Sequence, residues 1–414
     1  MKNNAIYLCL ICLGYFILTS NINAQSNSSN DWAQFRGNNK DGISTETGLL
    51  KNWAVSGPKQ VWKTKIGSGF SEITVFGDQF YTMYGTGDTT EGYEFIAAYE
   101  VSTGKQIWNT EIDTLYRDLE KWGDGPRSTQ AVDEKHVYGL SGNGKLAAVD
   151  IKTGEIKWKI DLIGELGSRL PRYGYSSSPI LFENVLILEV GGSESRAIVA
   201  FDPETGKILW NKCDGRPTYN SPTVAEINGK KEILFANDTM LHSFNSKGNI
   251  NWSYRMPIRA PYAMPLFVAP NKIFISAVSR VGSFLLEVKG NTPKEIRKST
   301  LMKSHWSSSC YKDGYIYGFS NAKLQCINAE TGEVKWGKRG FGKGSMIMID
   351  NKIIVLSDKG VLVQVDAKPE MYSEMSRFQA LKGKSWTAPS FSNGKIFLRN
   401  LTEMACFNLK DNNL

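Results

Sequence analysis

Six short segments of this chain join an aromatic ring to small or polar residues. They are Phe70-Ser71-Glu72, Tyr175-Ser176-Ser177-Ser178-Pro179, Tyr219-Asn220-Ser221-Pro222, Tyr262-Ala263-Met264-Pro265, Trp306-Ser307-Ser308-Ser309 and Trp386-Thr387-Ala388-Pro389. Five place the ring at one equivalent position, and the Tyr175 segment places it beside that position. Basic residues lie just before them: Arg127, Arg169, Arg172, Arg216, Arg259, Lys303, His305, Lys343 and Lys384. Ring faces stack on flat or sugar-like ligands, and cations beside them hold carboxylates and phosphates. The candidate ligand-binding set is Phe70, Arg127, Arg172, Tyr175, Arg216, Tyr219, Arg259, Tyr262, His305, Trp306, Lys384 and Trp386. The same pattern also suits rings packed on a narrow inner wall and charges solvated in loops. The residues alone leave both open.

Other chemistries find less support. His136, His242 and His305 fall in different segments, so no metal trio is expected and no catalytic residue is named. Acids near the aromatic segments are few: Glu72 and Asp124, with Asn220 as an amide. The Gly-rich stretch from Gly139 to Gly144 lies between two strand-like runs, whereas a phosphate-cradling loop opens a helix.

A louder repeat defines the elements that must carry these segments. Thr-Gly, three residues and Trp recur at Thr103 to Trp108, Thr153 to Trp158, Thr205 to Trp210 and Thr331 to Trp336, with a worn copy from Lys247 to Trp252. A period of roughly 40–50 residues marks a repeat architecture. Within one period, short β-type runs are separated by turn clusters, which reads as four antiparallel strands. The Asp of Asp150-Ile151-Lys152-Thr153-Gly154 can accept from turn amides, and the Gly takes a positive φ. Each Trp then falls on an outer strand, where it fills the space between neighbouring blades.

Blades are expected over residues 69–112, 127–162, 173–212, 219–255, 262–299, 306–339 and 344–378. The fifth and seventh lack the Trp, and the outer strand of the fifth is placed at 294–298. An eighth begins at Trp386 and ends one strand short, while Gln60–Lys65 carries an orphan Trp62 with no blade before it. The expected fold is all-β: an eight-bladed β-propeller of four-stranded antiparallel blades, its ring closed by that N-terminal strand. Closure removes an edge that would invite aggregation.

The chain opens on Met1-Lys2-Asn3-Asn4, an apolar run over 5–18 and small residues at Asn23-Ala24. This predicts a signal peptide over 1–24, a polar leader and latch segment over 25–56 and the propeller over 57–414. The product is exported, periplasmic or secreted. Cys9 and Cys12 lie within the apolar run, not at its end, so lipid attachment is not expected. Cys213, Cys310, Cys326 and Cys406 have no metal or redox spacing and are expected to be free thiols. The net charge of +8 favours an anionic partner, but its scatter argues against nucleic acid. No later stretch is apolar enough for a membrane helix.

The Asp-x-x-Thr-Gly-x-x-x-Trp repeat resembles that of the pyrroloquinoline-quinone (PQQ) repeat family, the quinoprotein-alcohol-dehydrogenase-like propellers, over about residues 57–409. Trp32-Ala33-Gln34-Phe35-Arg36-Gly37 with Asp41-Gly42-Ile43-Ser44 resembles the N-terminal segment of exported members, expected to pack across the propeller as a latch. The resemblance implies either PQQ-dependent dehydrogenases or non-catalytic members, including the factor that helps assemble outer-membrane barrels. The chain departs from the dehydrogenases: it has no adjacent cysteines and no Cys-x-x-Cys-His for haem. No recognisable spacing of acids for Ca²⁺ and a base is found either. The expected function is a non-catalytic binding or scaffold module of the cell envelope, as in outer-membrane protein assembly. Its partner would be a protein or an anionic or sugar-like ligand, with no cofactor. The alternatives are a dehydrogenase-like oxidoreductase holding PQQ with calcium, and carbohydrate or polyanion binding at the channel mouth.

Overall fold

The computed structural model describes residues 30–88, 90–259 and 261–410, and the signal peptide expected at 1–24 lies outside them. Eight antiparallel blades form the ring. Seven follow the chain at residues 74–114, 131–161, 180–212, 223–255, 266–299, 310–338 and 345–379. The eighth combines Ser390–Ser392, Lys395–Arg399 and Glu403–Asn408 with the N-terminal strand Gln60–Lys65. That strand pairs antiparallel with Glu403–Asn408, setting Trp62 opposite Cys406. The ring thus closes as the orphan Trp62 predicts. One element was not expected: Ile43–Ser44 adds a parallel strand to the channel side of blade seven, beside Met348 and Ile349.

The core lies between blades. Blades four and five, for example, bury Leu234, Leu241 and Trp252 against Ile273, Ile275 and Phe284. At the periphery, five of the eight junctions are joints between a Trp and the next blade's turn. Asp150 Oδ1 accepts from the Lys152 and Thr153 amides at 3.0 Å each, and Gly154 closes the turn at φ +74°. The Trp108 ring of the preceding blade lies under that glycine, so a Cβ there would come within 2.8 Å of the indole. Glycine is therefore demanded twice, by its positive φ and by the ring beneath it. The Trp108 indole N–H also donates to Ile151 O at 3.1 Å. The same joint recurs from Trp62 to Val101 O (2.8 Å), Trp158 to Pro203 O (2.9 Å), Trp210 to Ser246 O (2.8 Å) and Trp336 to Lys368 O (2.7 Å).

The gaps in the repeat are filled by other groups. In blade five Arg297 takes the Trp position, with its guanidinium under Gly332 and Nη2 donating to Ala329 O at 3.0 Å. Blade five has no Thr-Gly turn of its own, and Trp252, which would face it, donates instead to Glu232 within blade four at 3.1 Å. In blade seven Ser376 stands at the Trp position, and its Oγ accepts from the Trp53 amide at 2.7 Å. The Trp53 ring packs edge-on to Phe378 with centroids 5.7 Å apart. The segment before the first strand thus supplies the bulk that blade seven lacks. The four cysteines are free, and Cys213 is only half-buried. Among the described residues no helix is long and apolar enough to cross a membrane.

Buried carboxyls tie loops across blades. Glu94 accepts from the Tyr116 amide at 3.0 Å and from the Gly142 amide of blade two at 2.8 Å. Glu189 of blade three accepts from the Thr218 amide at 2.9 Å and from its hydroxyl at 2.6 Å. Burial pushes Glu94 up to about 7 and Glu189 up to about 8. A carboxyl whose folded pKa exceeds its unfolded value stabilises fully below the unfolded pKa and loses that contribution as pH rises through the folded one. His242 and His305, both lowered to about 4 by burial, act in the opposite sense but finish below pH 6.5.

Two outcomes follow. Trp62→Ala removes a ring stacked on Phe80 (5.0 Å) and the bond to Val101, and is expected to cost about 3–5 kcal/mol in urea unfolding; a loss under about 1 kcal/mol would mean the joint is dispensable. Between pH 6.5 and 8 the wild type should lose melting temperature relative to Glu189→Gln, which keeps an acceptor for Thr218. Parallel curves for the two proteins would contradict the buried-carboxyl assignment.

Candidate functional site

Where the innermost strands converge, only small side chains fit between blades, and their hydroxyls bond from one blade to the next. The Glu72 amide donates to Thr129 Oγ1, the Thr129 amide to Ser178 Oγ and the Ser178 amide to Ser221 Oγ, each at 2.9 Å. Asn220 Nδ2 donates to Ala263 O at 2.9 Å, and the Met264 amide to Ser308 Oγ at 3.0 Å. Ser345 Oγ donates to Trp386 O and Thr387 Oγ1 to Phe70 O, both at 3.3 Å. The small polar residues of the six segments are therefore the belt of the channel, and the rings beside them, Tyr175 excepted, project to its mouth.

Those rings form a nearly continuous collar. Tyr173 packs on Tyr219 (5.7 Å), Tyr219 on Tyr262 (5.4 Å) and Tyr262 on His305 (5.6 Å). His305 meets Trp306 at 4.2 Å, Trp306 meets Trp386 at 4.9 Å, and Trp386 stacks on Phe70 at 6.0 Å. Trp122, from the loop between blades one and two, adds a further face 5.6 Å from Trp386. Together they line a cavity of about 380 Å³, with Phe35, Arg36 and Glu72 also on its wall.

The latch closes the floor. Trp32 pairs with Val75 of blade one, and the Val132 amide of blade two donates to Ala33 O at 2.8 Å. The Leu181 amide of blade three donates to Gln34 Oε1 at 3.0 Å, and Arg36 Nη2 to Ser309 O of blade six at 3.0 Å. The Met348 amide of blade seven donates to Gly42 O, and the Gly394 amide of blade eight to Glu46 Oε2. Gly42, at φ +75°, leaves room for the Arg36 guanidinium, where a Cβ would collide with it. Glu72 joins floor to wall by accepting from the Arg36 amide at 3.0 Å. Burial raises the Glu72 carboxyl to about 7, against the lowering influence of the Arg36 amide and charge and of the Trp32 indole.

The charges at the mouth differ in their commitments. Arg127 is paired with Asp118 at 3.1 Å, donates to Gly123 O and Gly125 O, and lies 4.6 Å from the Tyr116 ring centroid. Lys384 Nζ donates to Trp122 O at 2.7 Å and sits over the Trp386 ring at 4.7 Å. Lys343 Nζ lies 4.8 Å over Trp306. Burial, with Lys343 adding to it, lowers His305 to about 4, so its imidazole is neutral at pH 7. Its Nδ1 is buried without a hydrogen-bond partner.

The structure brings Phe70, Arg127, Tyr219, Tyr262, His305, Trp306 and Trp386 to the cavity wall, with Lys384 over the Trp386 ring but not itself in the lining. It places the other candidates elsewhere. Tyr175 is buried at 1 % exposure, its hydroxyl donating to Ser168 Oγ, because it points into the blade core under Gly144. Arg172 pairs with Glu120 and Arg259 with Asp238, and Arg216 is exposed outside the cavity lining. Tyr173 and Ser176 take the place that the Tyr175 segment suggested. Trp122 escaped the alignment because its loop interrupts the repeat; that interruption, rich in Gly and carrying a Trp, was the available signal. Among the described residues no group of three or more His, Cys, Asp or Glu is gathered to hold a metal.

Comparison with known proteins agrees with this architecture. A family model described as outer membrane protein assembly factor BamB matches residues 92–305, more than half of the chain. The quinone alcohol dehydrogenase subunit of Komagataeibacter europaeus is 35% identical over 92 residues, 21% of this chain and 12% of that protein. Its counterpart from Gluconacetobacter polyoxogenes is 35% identical over 95 residues, 22% of this chain and 13% of that protein. The match thus spans about an eighth of the length of these curated relatives. BamB from Moraxella catarrhalis superposes with a TM-score of 0.61 at 17% identity, covering 84% of this chain and 97% of that one. A quinohemoprotein alcohol dehydrogenase from Pseudomonas putida HK5 gives 0.64 at 14% identity, covering 92% and 80%. At such identities the likeness is one of fold. With its joints, its closed ring and the family match together, the chain belongs to the PQQ-like repeat β-propeller family that includes BamB.

Proposed function

We propose that this protein is a non-catalytic binding propeller of the cell envelope that takes a ring-bearing ligand at its aromatic mouth. The observation that carries the reading is the collar from Tyr173 to Phe70 around a cavity whose floor the latch closes. A cavity lined by rings with a few polar groups is the usual form of a small-molecule site. Its titratable groups are arranged for holding rather than for proton transfer. Arg127 is bound to Asp118 and Glu72 to the Arg36 amide, and His305 stands neutral between two rings. The envelope location rests on the kinship with BamB.

PQQ with calcium, which the dehydrogenase kinship suggests, fits these residues poorly. A calcium site asks for several carboxylate and amide oxygens. Among the described residues Glu72 is the sole carboxylate on the cavity wall, and the latch holds it.

A second reading, a scaffold that grips an extended protein segment, is favoured by exposed aliphatics on the outer strands of blades one to four. Ile107 (48% exposed), Leu209 (50%) and Ile250 (49%) stand there with Ile156 and Ile208. An exposed sheet edge with apolar side chains suits strand addition. Copurification from the native envelope, read by native mass spectrometry, separates the two. Trp386→Ala or Tyr262→Ala should reduce ligand retention about tenfold or more with the melting temperature kept. Retention unchanged in those variants, but lost in Leu209→Glu, would replace the mouth by the outer edge as the binding site.

A further inference from the structure

The collar is divided by chemistry, and the division points to a ligand class. One arc, from blades three to six, carries hydroxyl and imidazole groups: Tyr173, Tyr219, Tyr262 and His305. His305 Nδ1 is buried and unpartnered at the cavity wall. The other arc, from blades six, eight and one, carries Trp306, Trp386 and Phe70 with Trp122 above them. A polar arc facing an aromatic arc suits a puckered ring with hydroxyls on its edge and C–H groups on its face.

The two lysines add a sign. Lys343 and Lys384 lie over Trp306 and Trp386, whose centroids are 4.9 Å apart. Among the described residues neither ammonium has a carboxylate within ion-pair distance, whereas the nearby arginines Arg117, Arg127 and Arg172 are each paired with an acid. Asp358, on the adjoining turn, accepts from the Lys343 backbone amide. On the tryptophan side of the mouth the positive charge therefore has no acid partner, although Lys384 also donates to Trp122 O.

We infer that the mouth recognises an acidic sugar, a hexuronate ring stacked on Trp306 and Trp386 with its carboxylate between Lys343 and Lys384 and its hydroxyls toward His305 and Tyr262. The assignment rests on the mouth being the binding site and names the ligand class for it. A carboxylate there gains charge-assisted bonds from both ammoniums, and the neutral imidazole offers one nitrogen to a hydroxyl whichever tautomer it adopts.

Titration of the purified protein with a galacturonate trimer and with the neutral galactose trimer, followed by tryptophan fluorescence, tests the inference. The acidic trimer should bind about tenfold tighter or more. Lys343→Gln, alone and with Lys384→Gln, should bring it down toward the neutral trimer without lowering the melting temperature. Raising salt from low to high should weaken the acidic trimer alone. Equal affinity for both trimers would overturn the acidic assignment and leave a ring-binding mouth standing. Binding of neither would overturn the acidic-sugar assignment altogether; the mouth itself is then judged by whether Trp386→Ala sheds the envelope ligand.

Discussion

The tryptophan joint between adjacent blades is the interaction on which the rest of the structure depends. Neighbouring sheets share no backbone ladder, only single backbone bonds such as Tyr175 N–H to Gly142 O, so their spacing and angle rest chiefly on side chains. The indole fills the wedge between them, while its N–H bonds a turn carbonyl and fixes the register. Under Trp62, Trp108, Trp158 and Trp210 the turn presents a glycine, because the ring lies where a Cβ would be. Thr-Gly and Trp are thus read together along the chain but act in different blades: Trp62, Trp108 and Trp158 each meet the Thr-Gly turn of the blade after their own, and Trp210 and Trp336 meet the corresponding turns at Ser246 and Lys368. That offset by one blade links the ring in sequence order, and Trp62 on the N-terminal strand makes the last link.

Where the joint is missing, the repair is specific. Arg297 reproduces both halves of the indole's role, bulk under Gly332 and a bond to a turn carbonyl. Blade seven instead borrows Trp53 from the N-terminal segment. That segment therefore does two things: it completes a peripheral joint, and farther upstream it crosses the channel to become the cavity floor. Glu72 couples that floor to the mouth, since it lines the cavity and accepts from the Arg36 amide of the latch.

The mouth follows from the geometry of convergence. Eight inner strands meeting in a ring leave room only for hydroxyls and amides between them, and those groups satisfy backbone amides that no ladder reaches. Larger side chains one position away must leave the belt and gather above it. The charges there sort by partner. Arg127 is absorbed into its own loop through Asp118, while Lys343 and Lys384 stay on ring faces.

Much of this was legible in the residues. The blade count, the turn chemistry and the closing strand follow from a repeat whose every copy obeys the same local physics. The aromatic positions Phe70, Tyr219, Tyr262, Trp306 and Trp386 share one phase of that repeat, so they were found together. Trp122, Tyr173 and Phe35 lie out of phase, in a loop, beside a turn and in the latch, and no periodic argument reaches them. Tyr175 was misplaced because a shift of one residue in an extended segment turns a side chain from channel to core. The sequence by itself determined the ring, since local turns and repeated rings specify each joint independently of the others. Only the tertiary structure decided how each charge at the mouth is held and what closes the channel. Those depend on residues hundreds of positions apart, such as Arg36 with Ser309 and Lys384 with Trp122, being brought to one place by closure of the ring.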